Sequence, residues 1–315
     1  MSEQAIAFVF PGQGSQKVGM LSAAHQAFPV VGEVFDEASE VLGFAVWDLV
    51  QQGPQEDLNL TATTQPVLLT ASVALWRAWQ AEGGSKPAVM AGHSLGEFSA
   101  LVCAGALAFR DALDLVQQRG QFMQSAVPVG EGAMAAIIGL DDATVNSICA
   151  EVARKQDGLV SAVNYNSPGQ IVIAGHASAV DAAITALKAA GAKRAMPLPV
   201  SAPFHTQLMA PAGKGLATIL KDMTIHTPEI PVIHNVHAAP ESQPQRIREL
   251  LIEQVSSPVQ WTQCVVAMRE RGAHNFVECG PGAVLSGLNK RIDKSLQSYT
   301  LEEPDALRSA LHALS

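Results

Sequence analysis

Apolar runs of strand length alternate with amphipathic stretches of helix length along most of this chain. Residues 6–10 form a continuous apolar run, which is typical of a strand buried on both faces. Shorter strand-like runs occupy 230–233 and 275–278. The apolar spacing predicts helices near residues 28–42, 64–82, 96–105, 110–125, 244–255, 261–272 and 283–292. Strands that alternate with helices indicate an α/β fold with a doubly wound parallel sheet.

The middle of the chain follows a different order. Its pattern predicts, in turn, a strand at 133–140, a helix at 141–156, strands at 160–164 and 170–174, a helix at 177–190 and a strand at 193–198. That βαββαβ order is ferredoxin-like. We therefore predict a small ferredoxin-like domain, residues 130–199, inserted into a large domain that comprises residues 1–129 and 200–315.

A candidate nucleophile stands between a strand and a helix. Gly92-His93-Ser94-Leu95-Gly96 follows the apolar run 88–91 and precedes a helix-like stretch at 97–102. A G-x-S-x-G at such a turn matches a nucleophile elbow, in which glycines permit the sharp turn that exposes the serine hydroxyl. This placement makes the large domain α/β-hydrolase-like. A glycine-rich turn with an unreactive serine is the alternative.

A serine nucleophile needs a general base, and His205 is the candidate among the nine histidines. It lies in a proline-stiffened loop, residues 199–206, where the predicted small domain rejoins the large one. A cleft between domains is a usual place for a site. His93 adjoins the serine, but the turn that exposes Ser94 should direct its neighbour's side chain elsewhere.

Arg119 lies on the apolar stripe of the predicted helix 110–125. A guanidinium turned towards a core keeps its charge and needs a paired anion. That anion is either a carboxylate of this protein, in a buried salt bridge, or the carboxylate of a substrate.

The loop after the first strand contains Gly12 and Gly14, but the glycine spacing does not match a dinucleotide-binding motif, and Met20 stands where a phosphate-binding loop needs lysine. The backbone amide of Gln13 in this loop, together with that of Leu95, is a candidate oxyanion hole.

Composition narrows the classes of partner. The chain has 315 residues, 48% of them apolar and 16% charged, as a folded protein does, and its net charge of −9 disfavours nucleic acid. Residues 1–4 contain no basic region, and no apolar run is long enough for a membrane span. Four separated cysteines without metal-ligand spacing predict reduced thiols, no bound metal and a cytoplasmic protein.

With these residues in view, the chain resembles the malonyl-CoA:acyl-carrier-protein transacylases of bacterial type II fatty acid synthesis. The similarity runs nearly end to end. It rests on Phe10-Pro11-Gly12-Gln13-Gly14-Ser15-Gln16, Thr64-Gln65-Pro66, Gly92-His93-Ser94-Leu95-Gly96-Glu97, Gln118-Arg119-Gly120, Asn164-Tyr165-Asn166-Ser167-Pro168-Gly169-Gln170, Phe204-His205 and Ser257-Pro258-Val259-Gln260-Trp261.

The resemblance implies a ping-pong acyl transfer through malonyl-Ser94, with His205 as the base in a Ser-His dyad. It implies that Arg119 holds the free malonyl carboxylate and that Gln260 steadies the histidine through its backbone carbonyl. Three further residues match positions at the family's pocket: Gln65, Asn164 and Phe204, the last of which resembles malonyl-type sites.

The resemblance also implies the partners. The substrates are malonyl-CoA and the phosphopantetheinylated acyl carrier protein, with no bound cofactor, and we expect a monomer. The carrier protein is acidic, so we expect the basic clusters of this chain to attract it. These clusters are Lys188, Lys193 and Arg194, and Lys290, Arg291 and Lys294.

Two rival functions remain. A serine hydrolase or thioesterase of α/β-hydrolase type would need an acid between Ser94 and His205 in the chain, and none of the acids there ends a strand of the large domain. A carrier-protein-binding domain without catalysis would need none of Ser94, His205 and Arg119, all of which are present.

Overall fold

The structure, a computed structural model, describes residues 5–200 and 202–314. Residues 1–4, in which the sequence contains no basic region, lie outside the described residues. The strands are β1 Ala5–Phe10, β2 Val89–Gly92, β3 Gly132–Ile138, β4 Val160–Ser167, β5 Gln170–His176, β6 Arg194–Pro197, β7 Val232–Ile233, β8 Ala273–Glu278 and β9 Gln297–Thr300.

Helices fill most of the chain between the strands. They are α1 Ser22–Ala27, α2 Pro29–Leu42, α3 Val46–Gln52, α4 Gln55–Leu58, α5 Thr61–Ala81, α6 Leu95–Cys103, α7 Phe109–Ser125, α8 Asp142–Gln156, α9 Ala177–Ala189, α10 Ala210–Asp222, α11 Pro244–Gln254, α12 Trp261–Glu270, α13 Val284–Ile292 and α14 Pro304–Leu314, with a short 3-10 helix at Gln207–Met209.

The first sheet is parallel, with the strand order β7-β2-β1-β8-β9. Strand β1 is apolar because both of its faces are covered: Phe8 and Phe10 enter one apolar cluster, and Ala7 and Val9 enter another. At the carboxyl edge, Phe10 of β1 pairs with Gly92 of β2. The loop after β1 and the turn after β2 therefore leave the sheet side by side.

The second sheet is antiparallel, with the order β4-β5-β3-β6. On one face, Ile137, Ile171 and Ile173 pack with α8 and α9. Residues on the opposite face, such as Met134 and Val172, belong to the large apolar cluster of the first sheet. The two sheets are therefore joined through a shared core.

These two sheets confirm the predicted α/β class. Each of the seven helices predicted for the parallel-sheet part is present, with ends shifted by at most three residues. In the middle segment, Asp141 caps α8 by accepting a hydrogen bond from the Thr144 amide at 2.8 Å. No helix within residues 5–200 and 202–314 is long and apolar enough to cross a membrane.

Some elements differ from the prediction. The strand expected at 230–233 shortens to Val232–Ile233, because Pro231 has no N–H and contributes only its carbonyl, to Met90. Strand β9 was missed because its residues are half-buried or exposed and lack an apolar alternation. Helices α1, α3 and α4 are too short for a periodic pattern, and the amphipathic α10 and α14 were also missed.

Candidate active site

Ser94 occupies the turn between β2 and α6, at the carboxyl edge of the parallel sheet. Its φ of 51° and ψ of −107° are a strained combination for a residue with a side chain. Two glycines make the turn possible. A Cβ on Gly92 would lie 1.8 Å from the Gly96 carbonyl carbon, and one on Gly96 would lie 2.0 Å from the Phe10 carbonyl oxygen. The geometry is that expected of a nucleophile elbow.

His205 faces the serine from the loop before α10. Its Nε2 lies 2.8 Å from Ser94 Oγ, and its Nδ1 lies 3.0 Å from the backbone carbonyl oxygen of Gln254. Because a carbonyl only accepts hydrogen bonds, Nδ1 carries the hydrogen and Nε2 is left to accept the serine proton. This is the arrangement of a nucleophile with its general base.

The expectation that the backbone carbonyl of Gln260 steadies His205 is wrong. The Gln260 carbonyl accepts the Cys264 amide in α12, and the Gln260 amide donates to the Asn235 carbonyl; among the described residues no hydrogen bond joins Gln260 to the His205 ring. The last residue of α11, Gln254, supplies the carbonyl instead. Gln254 ends α11 beside the elbow, whereas Gln260 is the residue immediately before α12.

Burial sets the protonation of the base. It lowers the pKa of His205 to about 3, with a smaller contribution from the positive charge of Arg119. The imidazole is therefore neutral at physiological pH and ready to accept a proton. His93 turns away from the serine, as expected: its Nε2 lies 2.8 Å from Asn166 Oδ1 on β4, and burial lowers its pKa as well.

Arg119 reaches the serine from α7 and is 2% exposed. One Nη donates to Gln65 Oε1 at 2.8 Å, and the other donates to Gln254 Oε1 at 2.9 Å and Ser94 Oγ at 3.2 Å. Nε has no partner among the described residues. Burial lowers the guanidinium pKa to about 10, while the negative charge of Glu97 opposes that shift, so the group stays charged at neutral pH.

Of the two anions expected to pair with Arg119, a carboxylate of this protein in a buried salt bridge is the wrong prediction. Among residues 5–200 and 202–314, no carboxylate oxygen lies within 4.0 Å of its guanidinium. Its protein partners are neutral amide and hydroxyl oxygens. A buried cation with neutral partners and an unused donor is suited to an anionic ligand.

The sequence did not single out the residues that hold this site together. Asn235, which follows β7, accepts the Ser94 amide through Oδ1 at 2.7 Å, and its Nδ2 donates to the Gly92 carbonyl at 2.7 Å. Gln254 Nε2 donates to the Ser94 carbonyl at 3.1 Å and to Glu97 at 2.8 Å. One sequence signal could have indicated this hydrogen-bond network: Glu97 is a carboxylate within the otherwise apolar helix that follows the elbow.

A cavity of ≈ 120 Å³ contains the reacting groups. Every predicted site residue except Gln260 lines this cavity. The other lining residues are His93, Met123, Met134, Leu198 and Val200. The predicted residues in its lining are Gln13, Gln65, Ser94, Leu95, Arg119, Asn164, Phe204 and His205.

Two details of the cavity wall concern ligand binding. A Cβ on Gly12 would lie 2.5 Å from the His93 carbonyl oxygen, so the loop that carries Gln13 lies against the elbow. Asn164, another residue of the cavity wall, has its Oδ1 buried without a hydrogen-bond partner in the described part of the chain.

A hydrolase triad would place a carboxylate on His205 Nδ1. The described residues place the Gln254 carbonyl there instead. The buried carboxylate nearest in sequence to the nucleophile, Glu97, contacts His234, Asn235 and Gln254 rather than the base. The site is therefore a dyad oriented by a backbone carbonyl.

Comparison with known proteins shows the family of the chain. Residues 7–303 match the model of the acyl transferase domain family. The chain is 57% identical to the malonyl CoA-acyl carrier protein transacylase of Escherichia coli (strain K12) over 305 residues, covering 97% of this chain and 98% of that one.

The chain is also similar to solved structures over nearly its full length. The malonyl CoA-acyl carrier protein transacylase from Coxiella burnetii superposes with a TM-score of 0.97 at 49% identity, covering 99% of this chain and 98% of that one. A malonyl-transacylase solved in complex with its type II PKS acyl-carrier protein superposes with a TM-score of 0.96 at 52% identity, covering 98% and 99% of the two chains.

Proposed function

Because the chain belongs to the acyl transferase domain family, we propose that its Ser94–His205 pair moves a malonyl group from coenzyme A to the thiol of an acyl carrier protein. The enzyme is an acyl-carrier-protein S-malonyltransferase that serves fatty acid synthesis. The observation that carries the acyl specificity is the buried guanidinium of Arg119, 3.2 Å from the nucleophile and without a carboxylate partner among the described residues.

The first half-reaction acylates the serine. His205 Nε2 takes the Ser94 proton as Oγ attacks the malonyl thioester carbonyl. The oxyanion of the tetrahedral intermediate lies between the backbone amides of Gln13 and Leu95, and the N-terminus of α6 adds its positive dipole end. Collapse expels the thiol of coenzyme A, which receives the proton from His205, and leaves malonyl-Ser94.

The second half-reaction reverses these steps with the phosphopantetheine thiol of the carrier protein as nucleophile. His205 deprotonates the thiol, the thiolate attacks malonyl-Ser94, and the serine oxygen recovers its proton. No bound cofactor is needed for either half.

The malonyl carboxylate pairs with Arg119, whose Nε has no hydrogen-bond partner among the described residues and one of whose Nη groups lies 3.2 Å from Ser94 Oγ. Gln65 holds one Nη in place. The Oδ1 of Asn164, which has no hydrogen-bond partner in the described part of the chain, accepts a hydrogen bond from the bound substrate, and Phe204 closes the acyl pocket against bulkier groups.

We further propose that the chain consists of an α/β-hydrolase-like domain, residues 1–129 and 200–315, and an inserted ferredoxin-like domain, residues 130–199. The order β4-β5-β3-β6, with α8 and α9 on one face, supports the second assignment. The elbow at the carboxyl edge of the parallel sheet supports the first.

The carrier protein docks on one basic surface made of both basic clusters: Lys188, Lys193, Arg194, Lys290, Arg291 and Lys294. All six side chains are exposed, and none lies within 4.0 Å of a carboxylate of the described residues.

Strand pairing supports the proposal that the two basic clusters form one surface. Arg291 donates to the Gln170 side chain, Gln170 is paired with Ile138, and Ile138 is paired with Arg194. Two ladder steps of about 4.8 Å separate Gln170 from Arg194, and Arg291 lies one hydrogen bond beyond Gln170. The same strand β3 carries Met134 of the cavity wall, roughly 13 Å from Ile138 at strand spacing. We therefore expect an extended phosphopantetheine arm to enter the cavity from this surface. We also propose that the enzyme is a monomer of the cytoplasm.

Mass spectrometry of the intact protein tests the function. Incubation with malonyl-CoA should add one malonyl group, located on Ser94 and absent from Ser94→Ala. The adduct should persist in buffer and transfer when holo carrier protein is added. Rapid loss to water would favour the hydrolase, and no adduct would favour a domain that only binds carrier protein.

A further inference from the structure

We propose that Glu97 is a positioning residue for the transfer, because its buried carboxylate fixes the orientation of Gln254 and Asn235 and, through them, of Ser94, His205 and Arg119. This inference rests on the proposed function. It concerns how the reacting groups are aligned, and Glu97 itself touches none of their reacting atoms.

Both carboxylate oxygens of Glu97 have hydrogen-bond partners. The residue lies in the first turn of α6 and has no exposed surface. Oε1 lies 2.6 Å from Nδ1 of the equally buried His234, and Oε2 accepts the Asn235 amide at 2.9 Å and Gln254 Nε2 at 2.8 Å. The carboxylate is therefore held in one orientation by three contacts.

Gln254 transmits that orientation to all three functional groups. Its side-chain oxygen accepts Arg119, its side-chain nitrogen also donates to the Ser94 carbonyl, and its backbone carbonyl accepts His205 Nδ1. Asn235 supports the same turn from the other side through the Ser94 amide and the Gly92 carbonyl. One carboxylate thus lies two hydrogen bonds from the nucleophile, the base and the guanidinium.

The chemistry of the groups explains why an acceptor is required at Glu97. A glutamine amide can present either its oxygen or its nitrogen to a neighbour. A carboxylate only accepts, so it draws the Gln254 nitrogen towards itself and leaves the oxygen facing Arg119. In the reverse orientation, the NH₂ group would meet the guanidinium donors, and the oxygen would meet the carboxylate. Glu97 therefore determines which Gln254 atom holds Arg119.

Two conservative variants separate positioning from charge. Glu97→Gln keeps the side-chain length, so its oxygen still accepts Asn235 and Gln254, while its nitrogen donates to His234 Nδ1 in the tautomer that leaves Nδ1 without a hydrogen. That tautomer places the proton on His234 Nε2, which has no partner among the described residues. Glu97→Asp keeps the charge but withdraws the carboxylate by one methylene, about 1 Å, and a shift of that size can cost about 100-fold in rate.

The experiment measures Ser94 acylation by malonyl-CoA and by acetyl-CoA, with mass spectrometry of the intact protein and rates normalised to the folded fraction. We expect Glu97→Gln to acylate with malonyl within about threefold of the parent. We expect Glu97→Asp to be at least about tenfold slower, with a lower malonyl-to-acetyl ratio because Arg119 is no longer held.

A matched control is Glu278, another carboxylate without exposed surface, which accepts the Leu285 and Ser286 amides of α13 away from the cavity. Glu278→Gln and Glu278→Asp should lose stability but acylate Ser94 like the parent. Parental acylation by Glu97→Asp, or equal losses in both Glu97 variants, would overturn the proposal. Failure of the parent to take up malonyl would instead refute the proposed function.

Discussion

Replacing Arg119 with alanine should abolish the preference for a carboxylated acyl group. In the structure the guanidinium is 2% exposed and lies 3.2 Å from Ser94 Oγ, so a malonyl group on the serine places its carboxylate beside it. Acetyl-CoA carries no carboxylate. The malonyl-to-acetyl ratio of kcat/KM therefore isolates the pair between guanidinium and carboxylate from all other effects of the substitution.

The size of the effect follows from the number of hydrogen bonds. A bidentate pair consists of two hydrogen bonds to charged groups, each worth about 1.5–3 kcal/mol. The lower end, about 3 kcal/mol in total, allows for the hydration that the malonyl carboxylate loses on entering a buried site. At about 1.36 kcal/mol for each factor of ten, the ratio should fall about 150-fold.

The assay compares acyl-Ser94 formation from the two thioesters in the parent, Arg119→Ala and Arg119→Lys. The lysine variant keeps a cation but lacks the planar fork, so its ratio should be intermediate. The loss of Arg119 removes the hydrogen bonds that it donates to the side-chain oxygens of Gln65 and Gln254. This loss affects the rates with both thioesters and therefore cancels in the malonyl-to-acetyl ratio. A parental ratio in Arg119→Ala would refute the role of Arg119 as the carboxylate clamp.

Three further expectations concern the base, the docking surface and the elbow. Because burial lowers the pKa of His205 to about 3, acylation should lose rate only as the pH falls towards that value, and it should be level from about pH 5 to 8 in a stopped-flow or quench profile. Charge reversal on the basic surface, as in Arg291→Glu, should raise KM for carrier protein and weaken the salt dependence of turnover, with little change for a free pantetheine acceptor. Gly96→Ala should lower the yield of folded, acylatable enzyme, because its Cβ would lie 2.0 Å from the Phe10 carbonyl oxygen, and overpacking of this kind costs about 1–3 kcal/mol or more.

Each of these expectations has a clear contrary result. A rate profile that falls with a midpoint near the ordinary histidine pKa of about 6.5 would contradict a neutral, buried base. Unchanged carrier-protein kinetics after charge reversal would remove the basic surface from the docking model. For the elbow, the matched control is Gly213→Ala in α10, where the added Cβ would meet no atom closer than 3.5 Å. An equal loss of folded enzyme in both variants would show that the close contact at Gly96 has no particular effect.

The sequence by itself determined the elements whose physics is local. The apolar run of β1 and the G-x-S-x-G turn lie within short windows, so strand burial and the sharp turn follow from adjacent residues. The same holds for Arg119, because helical spacing alone places it on an apolar stripe and marks it as needing an anion. The α/β class and the cavity residues Ser94 and His205 were therefore within reach of pattern and motif.

Only the tertiary structure decided which groups meet. The carbonyl that orients His205 belongs to Gln254 rather than Gln260. The two residues are only six positions apart, but Gln254 ends α11 beside the elbow, whereas Gln260 lies before α12 and outside the cavity. The buried amide partners of Arg119 and the carboxylate of Glu97 were likewise decided by packing. A hydrogen bond depends on distance and direction within a few tenths of an ångström, and those quantities are fixed by how strands and helices pack rather than by their order.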